Sequence, residues 1–392
     1  MWVENLFWVL VFLIIYTYLF YPVILLVISG IIQSLQDSTY LFNKKERRAI
    51  TLEDWPTVAV IIAAFNEEKH IVARINNLLA QDYPVDKLTI YIGSDGSKDN
   101  TVALVNTIKD KRVVLFDYAT NRGKVSVLND LLTPVNQAVV VFSDANAFFK
   151  PDALKKLTRH FVSDNIIAGV CGELQLIDAQ KGDNQDGLYW RLERFLKFHE
   201  GKINGFLGAN GAIYALRREH CQPLPTDTII DDFVMFMNVA LAGHRLIYDS
   251  EAIAEEEIVT DMSGEYGRRV RIGAGNYQAF FRLLSVYNPK QKWRLLTYSS
   301  HKVIRWFTPH FMVMLLGLNL LLLDQFLYQL LFALQLLVYL MVFVVVNYKQ
   351  NQSLPALITL PVFLVTMNFA LGHGFIKYML GNTQGAWKRT ER

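Results

Sequence analysis

Two oxygen-bearing side chains follow a strongly apolar run in the chain, and their types suit a metal ion. Residues 138–146 read AVVVFSDAN, so that Asp144 and Asn146 come directly after a row of β-branched residues. A continuous apolar run of this length predicts a strand that is buried on both faces, as in a parallel sheet. Ligands of such sheets bind beyond the carboxyl ends of the strands. We therefore predict that Asp144 and Asn146 hold a divalent cation, Mn²⁺ or Mg²⁺, together with phosphate oxygens.

Polar residues also follow the other predicted strands. Asn66 and Glu67 come after TVAVIIAAF, Asp95 ends the strand within LTIYIGSDGS, and Lys124 lies in the NRGK loop after VVLFDY. The first three can bond to a nucleobase or ribose, and the lysine can neutralise a diphosphate. Each alone is also explained by a turn or by a helix cap, which is how we interpret Asn66. Their order on successive strand ends favours a nucleotide site on a parallel, doubly wound sheet.

The second half of the chain offers residues that suit an acceptor and a leaving group. The GANG run allows close approach of the backbone at Asn210 and Gly211 to a ligand, or forms a tight loop before a strand. Asp231 and Asp232 begin a predicted helix, either as capping acids or with one of them as a general base. A basic cluster is either a membrane-facing patch or a clamp on a diphosphate, and it consists of Arg268, Arg269 and Arg271.

Composition and motif searches exclude several classes of protein. The net charge is +3, and no basic face interleaved with aromatics is found, which argues against nucleic acid as a partner. The two cysteines form neither a zinc pattern nor a disulfide framework. No GxGxxG or GxxxxGK[ST] motif occurs, which disfavours dinucleotide oxidoreductases and P-loop ATPases.

Four apolar stretches predict a multi-pass membrane protein. The first is residues 2–32, and the others, 307–323, 326–346 and 354–376, approach the roughly 20 residues of a spanning helix. Lys44, Lys45, Arg47 and Arg48 put the polar domain in the cytoplasm, whereas the basic tail then leaves the C-terminal topology open. We predict five parts: an N-terminal transmembrane helix (1–35), a cytoplasmic α/β domain (52–285), an amphipathic interfacial helix (286–305), C-terminal transmembrane helices (306–380) and a polar tail (381–392).

Taken together, the motifs resemble the membrane-embedded family 2 glycosyltransferases, which are related to the poly-N-acetylglucosamine, hyaluronan and cellulose synthases. The segments in the family's order are VIIAAFNEE, SDGSKDNT, NRGK, FSDAN, GANGAIYALRR, IIDD and RRVRI. The resemblance implies a Rossmann-like α/β GT-A domain flanked by transmembrane helices, in the plasma membrane. It also implies inverting transfer of a hexose from a nucleotide sugar, most often a UDP-sugar, to a polysaccharide or lipid-linked acceptor.

The resemblance also assigns roles to residues. It implies that Asp144, with Asn146, is the metal-binding DxD motif and that Asp232 is the catalytic base. On the acceptor side it implies Asn210, Gly211 and Asp231. The implied donor contacts are Ala64, Glu67, Asp95, Lys124, Arg269 and Arg271. The partners are then a nucleotide-sugar donor, a glycan or lipid-linked acceptor and membrane lipids.

Two departures from the family pattern keep alternatives open. Asn146 stands where many relatives have a carboxylate, and Ile272 stands where a tryptophan would stack on the acceptor sugar. The second departure argues against processive polymerisation and leaves a single-addition enzyme open. A transport protein with a nucleotide-binding regulatory domain and a non-catalytic scaffold are the other readings, although the spans carry little charge for an ion pathway.

Overall fold

The computed structural model describes residues 1–43, 54–177, 188–257, 262–348 and 355–381. Within these residues the chain divides into two units. The sheet unit contains Leu25–Asp261 and Leu283–Thr297, and the helical unit contains Met1–Ile24, Met262–Arg282 and Tyr298–Thr383. The basic residues 44–48 and the tail from 382 onward, which bear on topology, lie outside the described residues.

The first half of the sheet is parallel, as the sequence predicts. Its strands are β1 (Val58–Ala64), β2 (Leu88–Asp95), β3 (Val113–Tyr118) and β4 (Val139–Phe142), in the order β3-β2-β1-β4. The connecting helices are α3 (Ile71–Leu79), α4 (Thr101–Thr107) and α5 (Lys124–Leu132). Every side chain of β1 is buried, because helices cover both faces of a parallel sheet.

The second half of the sheet is mixed, and the sequence does not predict it. It contains β5 (Phe148–Phe149), β6 (Ile167–Ile177), β7 (Tyr214–Arg217) and β8 (Arg245–Glu257). The order continues β4-β7-β6-β8-β5, with β7 antiparallel to both neighbours and β6 parallel to β8. The helices of this half are α6 (Ala153–Ser163), α7 (Leu188–Lys202) and α8 (Asp231–Leu241). The sheet thus has eight strands, and the predicted start of α8 at Asp231 is confirmed.

The remaining helices are mostly long and apolar. They are α1 (Trp2–Ile15), α2 (Tyr21–Asn43), α9 (Met262–Arg282), α10 (Trp293–Thr297), α11 (Ile304–Leu320), α12 (Phe326–Tyr348) and α13 (Ala356–Met379). Four helical stretches of the described residues are long and apolar enough to cross a membrane: Trp2–Thr39, Trp293–Leu320, Phe326–Tyr348 and Ile358–Met379.

Residues 286–305 do not form one amphipathic helix. Short turns at Leu284–Tyr287 and Pro289–Gln291 precede α10, which continues through a π-helical turn into α11. Lys292, with a φ of 51°, lies in the left-handed region and interrupts the helix before α10. The apolar helical run therefore begins at Trp293.

Helices α9 and α13 pack closely within the helical unit. A Cβ added at Gly374 would lie 2.6 Å from the Ala274 nitrogen and 2.7 Å from the Val270 oxygen. Small residues allow such an approach of two helices in a membrane. Helix α9 thus belongs to the helical unit, although the sequence assigned it to the sheet domain; the domain bounds otherwise stay a prediction.

Candidate active site

A buried acid at the end of β2 holds the loop that leads into α5. Asp95 is fully buried, and its two carboxylate oxygens accept from the backbone nitrogens of Arg122 at 2.8 Å and Gly123 at 2.9 Å. Gly123 has a φ of 92°, a conformation that favours glycine. The structure therefore shows Asp95 positioning this loop, and its contact with a nucleoside stays a prediction.

The loop after β1 is tied to the loop after β2. Asn66 has a φ of 56°, and its side-chain oxygen accepts from the Lys98 nitrogen at 2.8 Å. Helix α3 begins only at Ile71, so the interpretation of Asn66 as its cap is wrong, because the neighbouring loop uses that side chain. Ala64 is the buried last residue of β1 and Glu67 is half-buried in the loop, and both stay predicted donor contacts.

Lys124 links acids from two separate elements. Its ammonium lies 2.8 Å from Asp144 Oδ1, beyond β4, and 3.5 Å from Asp231 Oδ2, at the start of α8. Burial lowers the pKa of Lys124, but the attraction of Asp144 and Asp231 outweighs it, so that the pKa lies above its usual range. Lys124, the predicted diphosphate contact, is thus a charged ammonium that lies between the predicted metal ligand Asp144 and the acceptor-side residue Asp231.

The loop after β4 presents Asp144 and Asn146 on one side. Both are half-buried, whereas Ala145 and Ala147 between and after them are buried. The Asn146 amide nitrogen donates to Glu256 Oε1 at 3.0 Å, so its carbonyl oxygen is the atom suited to a cation. An aspartate at position 146 would place a second negative charge beside Glu256, whereas the asparagine amide donates a hydrogen bond to it. Asparagine therefore suits this position.

This donor set fits a divalent cation that shares its ligands with a substrate. Within the described ranges, no group of three or more His, Cys, Asp or Glu side chains forms a complete protein cage. Mg²⁺ and similar ions are commonly bound by one or two protein oxygens plus phosphate oxygens and water. Asp144 already attracts a cation, the Lys124 ammonium, at Oδ1. Asp144 and Asn146 are therefore suitable ligands, and the metal itself stays a prediction.

Gly211 marks the point where the predicted acceptor and donor sides meet. A Cβ added there would lie 3.1 Å from Asp232 Oδ2 and 3.7 Å from Asp144 Oδ2. The preceding Asn210 donates from its side-chain nitrogen to the Gly172 oxygen at 2.9 Å and accepts from Lys197. The absence of a side chain at position 211 thus keeps space between two carboxylates.

At the start of α8, Asp232 lies next to a second acid, Asp231. Burial, and then the negative charge of Asp231, raise the pKa of Asp232 to about 6. Asp232 Oδ1 accepts from the backbone nitrogen of Phe233 at 2.8 Å, and Lys124 opposes the shift. A carboxyl group with this pKa exchanges protons near neutral pH, which suits a general base.

The predicted arginine clamp lies in the helical unit. Arg269 and Arg271 are both on α9, where the Arg269 guanidinium lies 5.3 Å from the centre of the Phe363 ring and Arg271 is exposed. Their donor contacts stay predictions.

Three buried charged residues near the site were not predicted from the sequence: Arg74 on α3, Lys197 on α7 and Glu256 on β8. For Arg74, its position in the pattern of apolar residues could have indicated a buried charge. It follows Ile71 by three positions and precedes Leu78 by four, on the apolar face of α3. A charged residue at a core position of an amphipathic helix indicates a buried polar partner. Lys197 and Glu256 lack such a signal, because the elements that carry them were not predicted.

The chain is similar in sequence and in fold to several known proteins. Residues 59–220 match the family described as Glycosyl transferase family 2. The poly-beta-1,6-N-acetyl-D-glucosamine synthase of Staphylococcus aureus (strain COL) is 26% identical over 275 residues, which are 67% of this chain and 66% of that protein. The match therefore spans just under two thirds of the relative's length.

Two further similarities extend the comparison. The beta-monoglucosyldiacylglycerol synthase of Synechocystis is 26% identical over 244 residues, or 58% of this chain and 49% of that protein. A mannosyltransferase from Pyrobaculum calidifontis, solved in complex with GDP-Man and Mn²⁺, superposes with a TM-score of 0.65 at 20% identity, over 92% of this chain and 98% of that one. At that identity the superposition shows the fold alone, which is a GT-A fold.

Membrane-capable helices flank the matched segment on both sides. The matched family and the names of its synthase relatives support a glycosyltransferase. Residues 59–220 are therefore a domain of the glycosyltransferase family 2 type, and the chain that carries it has the GT-A fold.

Proposed function

We propose that this chain is an inverting hexosyltransferase that moves a sugar from a UDP-sugar to a polysaccharide or lipid-linked acceptor at the membrane. The observation that carries the proposal is the single ammonium of Lys124 between Asp144 and Asp231, with Asp232 beside Gly211. This arrangement brings a cation for a diphosphate and a base for a hydroxyl to one place. Both are needed when a sugar is displaced from a nucleotide.

In the proposed reaction, Asp232 accepts the proton of an acceptor hydroxyl as that oxygen attacks the anomeric carbon of the donor. The bond from this carbon to the diphosphate oxygen breaks in the same displacement, so the anomeric configuration is inverted. Lys124 stabilises the negative charge that grows on the leaving diphosphate. A divalent cation held by Asp144 and Asn146 supplies further positive charge there when bound. Gly211 leaves room for the reacting groups between the two carboxylates.

The remaining predicted contacts complete the binding of both substrates. Ala64, Glu67 and Asp95 lie at the carboxyl ends of β1 and β2, where parallel sheets bind nucleotides. The proposal also keeps Arg269 and Arg271 as diphosphate contacts and Asn210 and Asp231 as residues on the acceptor side.

The proposed location is the plasma membrane, with the catalytic domain in the cytoplasm, where nucleotide sugars are available. Four membrane-capable helices support a multi-pass arrangement. Cysteine labelling tests it: Glu219→Cys, on an exposed side chain of the sheet unit, should react with an impermeant thiol reagent only after cells are opened. Reaction in intact cells would contradict the cytoplasmic location.

A turnover screen tests the proposed activity. The full chain in detergent is offered radiolabelled UDP-sugars and GDP-mannose with membrane extract as acceptor, with Mn²⁺, with Mg²⁺ or with EDTA. We expect one UDP-sugar to be consumed, only with a divalent cation present, and an inverted linkage in the product. Consumption of no nucleotide sugar under any condition would overturn the proposal.

The size of the product separates polymerisation from single addition. Ile272, half-buried on α9, and the similarity to a glycolipid synthase favour addition of one sugar, whereas the similarity to the poly-N-acetylglucosamine synthase favours a polymer. A single lipid-linked product supports the first, and a long ladder of products supports the second.

A further inference from the structure

Arg74 is a buried cation directly behind the predicted metal loop. Its side chain is fully buried on α3. Its guanidinium donates to Asn77 Oδ1 at 2.5 Å and to Ser143 Oγ at 2.8 Å, and it lies 4.2 Å from the centre of the Phe149 ring. These three contacts point in different directions, so they fix the guanidinium plane.

These contacts hold both ends of the loop that carries Asp144 and Asn146. Ser143 immediately precedes Asp144, and Phe149 follows Asn146 by three positions. Asn77 reinforces the second end, because its side chain accepts from the Phe149 nitrogen at 2.9 Å and donates to the Phe149 oxygen at 2.9 Å. One guanidinium and one neighbouring amide therefore anchor the loop from behind.

Ser143 extends the network to the loop that contains Gly211. Its hydroxyl accepts from Arg74 and donates to the Ala212 oxygen at 2.7 Å. The donor-side loop after β4 and the acceptor-side loop before β7 thus share one buried hydroxyl. A shift of Arg74 would move both loops.

Burial of the Arg74 guanidinium beside Phe149 costs free energy. Burial lowers the pKa of Arg74 to about 9, although the nearby Asp144 opposes that change, and the Arg74 Nε has no hydrogen-bond partner among the described residues. An apolar side chain would pack against Phe149 without the cost of removing a charge from water. What the arginine adds is its set of directed contacts.

We propose that Arg74 is a positioning residue that sets the Asp144–Asn146 loop against the Gly211 loop, so that a metal–diphosphate group binds in register with Asp232. The inference rests on the proposed function. It assigns to Arg74 an effect on binding of the metal–nucleotide that goes beyond its effect on stability.

Binding of UDP with Mn²⁺ to the full chain in detergent, measured by calorimetry, tests this inference. Arg74→Met keeps an unbranched apolar stem but removes the charge and the donors, and we expect about a tenfold weaker affinity. Arg74→Lys keeps the charge, but one ammonium cannot make all three contacts, and we expect a smaller loss.

Arg217→Met is the matched control. Arg217 also stacks on a phenylalanine, with its guanidinium 5.3 Å from the Phe161 ring centre, and it donates to the Ile167 oxygen at 2.8 Å. It pairs with Val139 at the opposite end of β4 from Asp144. We expect this variant to change the melting temperature but not the affinity for UDP–Mn²⁺.

Ser143→Ala keeps the test decisive if Arg74→Met fails to fold. It removes only the shared hydroxyl, and we expect roughly a fivefold loss of affinity. Affinities of the folded Arg74 variants and of Ser143→Ala within about twofold of the unmodified chain would overturn the inference alone. If the unmodified chain binds no UDP–Mn²⁺, the proposed function fails and the inference fails with it.

Discussion

Asp144, beyond β4, and Asp231, in the acid pair at the start of α8, meet at Lys124. The acids beyond the parallel strands and the acid pair nevertheless differ in how their negative charge is compensated. Asp95 accepts from two backbone nitrogens, and Asp144 from an ammonium at 2.8 Å. Asp232 instead has Asp231 as its neighbour, and its pKa is raised to about 6. The first group is arranged to hold negative charge beside cations, and the second is arranged to exchange a proton.

This difference follows from position in the fold. The loops beyond a parallel sheet offer backbone N–H groups that stabilise a carboxylate. Asp231 and Asp232 are consecutive acids in the first turn of α8, where their like charges disfavour each other. Sites that pair stabilised acids with a destabilised one can bind a charged donor and activate a neutral hydroxyl together.

We expect the largest effect from Asp232→Asn, which removes the proposed base and so tests the role assigned to the acid pair. We expect turnover to fall by about 10³-fold with UDP–Mn²⁺ binding retained, because general bases typically contribute 10²–10⁴. Asp152→Asn, at the start of α6, is the control, since that acid contacts only Lys156 in the described residues and lies outside the site. An unchanged rate in Asp232→Asn would show that the base is another group.

Asp144→Asn tests the donor-side half of the comparison. The change removes the charge that holds Lys124 and the proposed cation, and we expect Mn²⁺ to activate turnover at roughly 10- to 100-fold higher concentration. The measurement is the rate as a function of Mn²⁺ concentration. An activation curve equal to that of the unmodified chain would remove Asp144 from the metal site.

Gly211→Ala tests whether the space between the two carboxylates is needed. The new methyl group would lie 3.1 Å from Asp232 Oδ2, and we expect kcat/KM to fall about tenfold, as for a modest steric clash. Gly201→Ala on α7 is the matched control, because its nearest contact would be an ordinary 3.6 Å. Equal kinetics for the two variants would contradict a reaction space at Gly211.

The pH profile tests the acid pair itself. With the pKa of Asp232 raised to about 6, its base form is depleted below that pH, so kcat/KM should rise as pH increases through 6 and then level off. Asp231→Asn removes the neighbouring negative charge, which lowers the pKa of Asp232 and moves this rise to lower pH. A rise at the same pH in both proteins would exclude Asp231 as a cause of the shift.

The smallest expected effect concerns Asn146. Asn146→Asp alone would place a second carboxylate beside Glu256, and the repulsion should cancel any gain in Mn²⁺ affinity. With Glu256→Gln added, the amide at position 256 can donate to the new carboxylate at position 146. The double variant should therefore bind Mn²⁺ a few-fold more tightly than either single variant. Additive effects of the two changes would show that Glu256 does not govern this position.

The sequence by itself determined much of this protein. Apolar runs predicted β1 to β4, and β1 and β4 are buried along their whole length, as expected of strands that are covered on both faces. Longer apolar runs elsewhere in the chain predicted the apolar helices, and Asp231 was predicted at the start of α8. The family resemblance, carried by local motifs, is confirmed by the match to residues 59–220.

Only the tertiary structure decided how those residues meet. The mixed half of the sheet depends on pairing between distant strands, and Arg74 bonds to Ser143 across 69 positions of sequence. Asp95 binds the backbone of a loop, and Lys124 lies between Asp144 and Asp231. Both sets of contacts depend on which loops the fold brings together. Local sequence specifies strands and helix starts through hydrophobicity and capping, whereas charge compensation is a property of neighbours that only the folded chain creates.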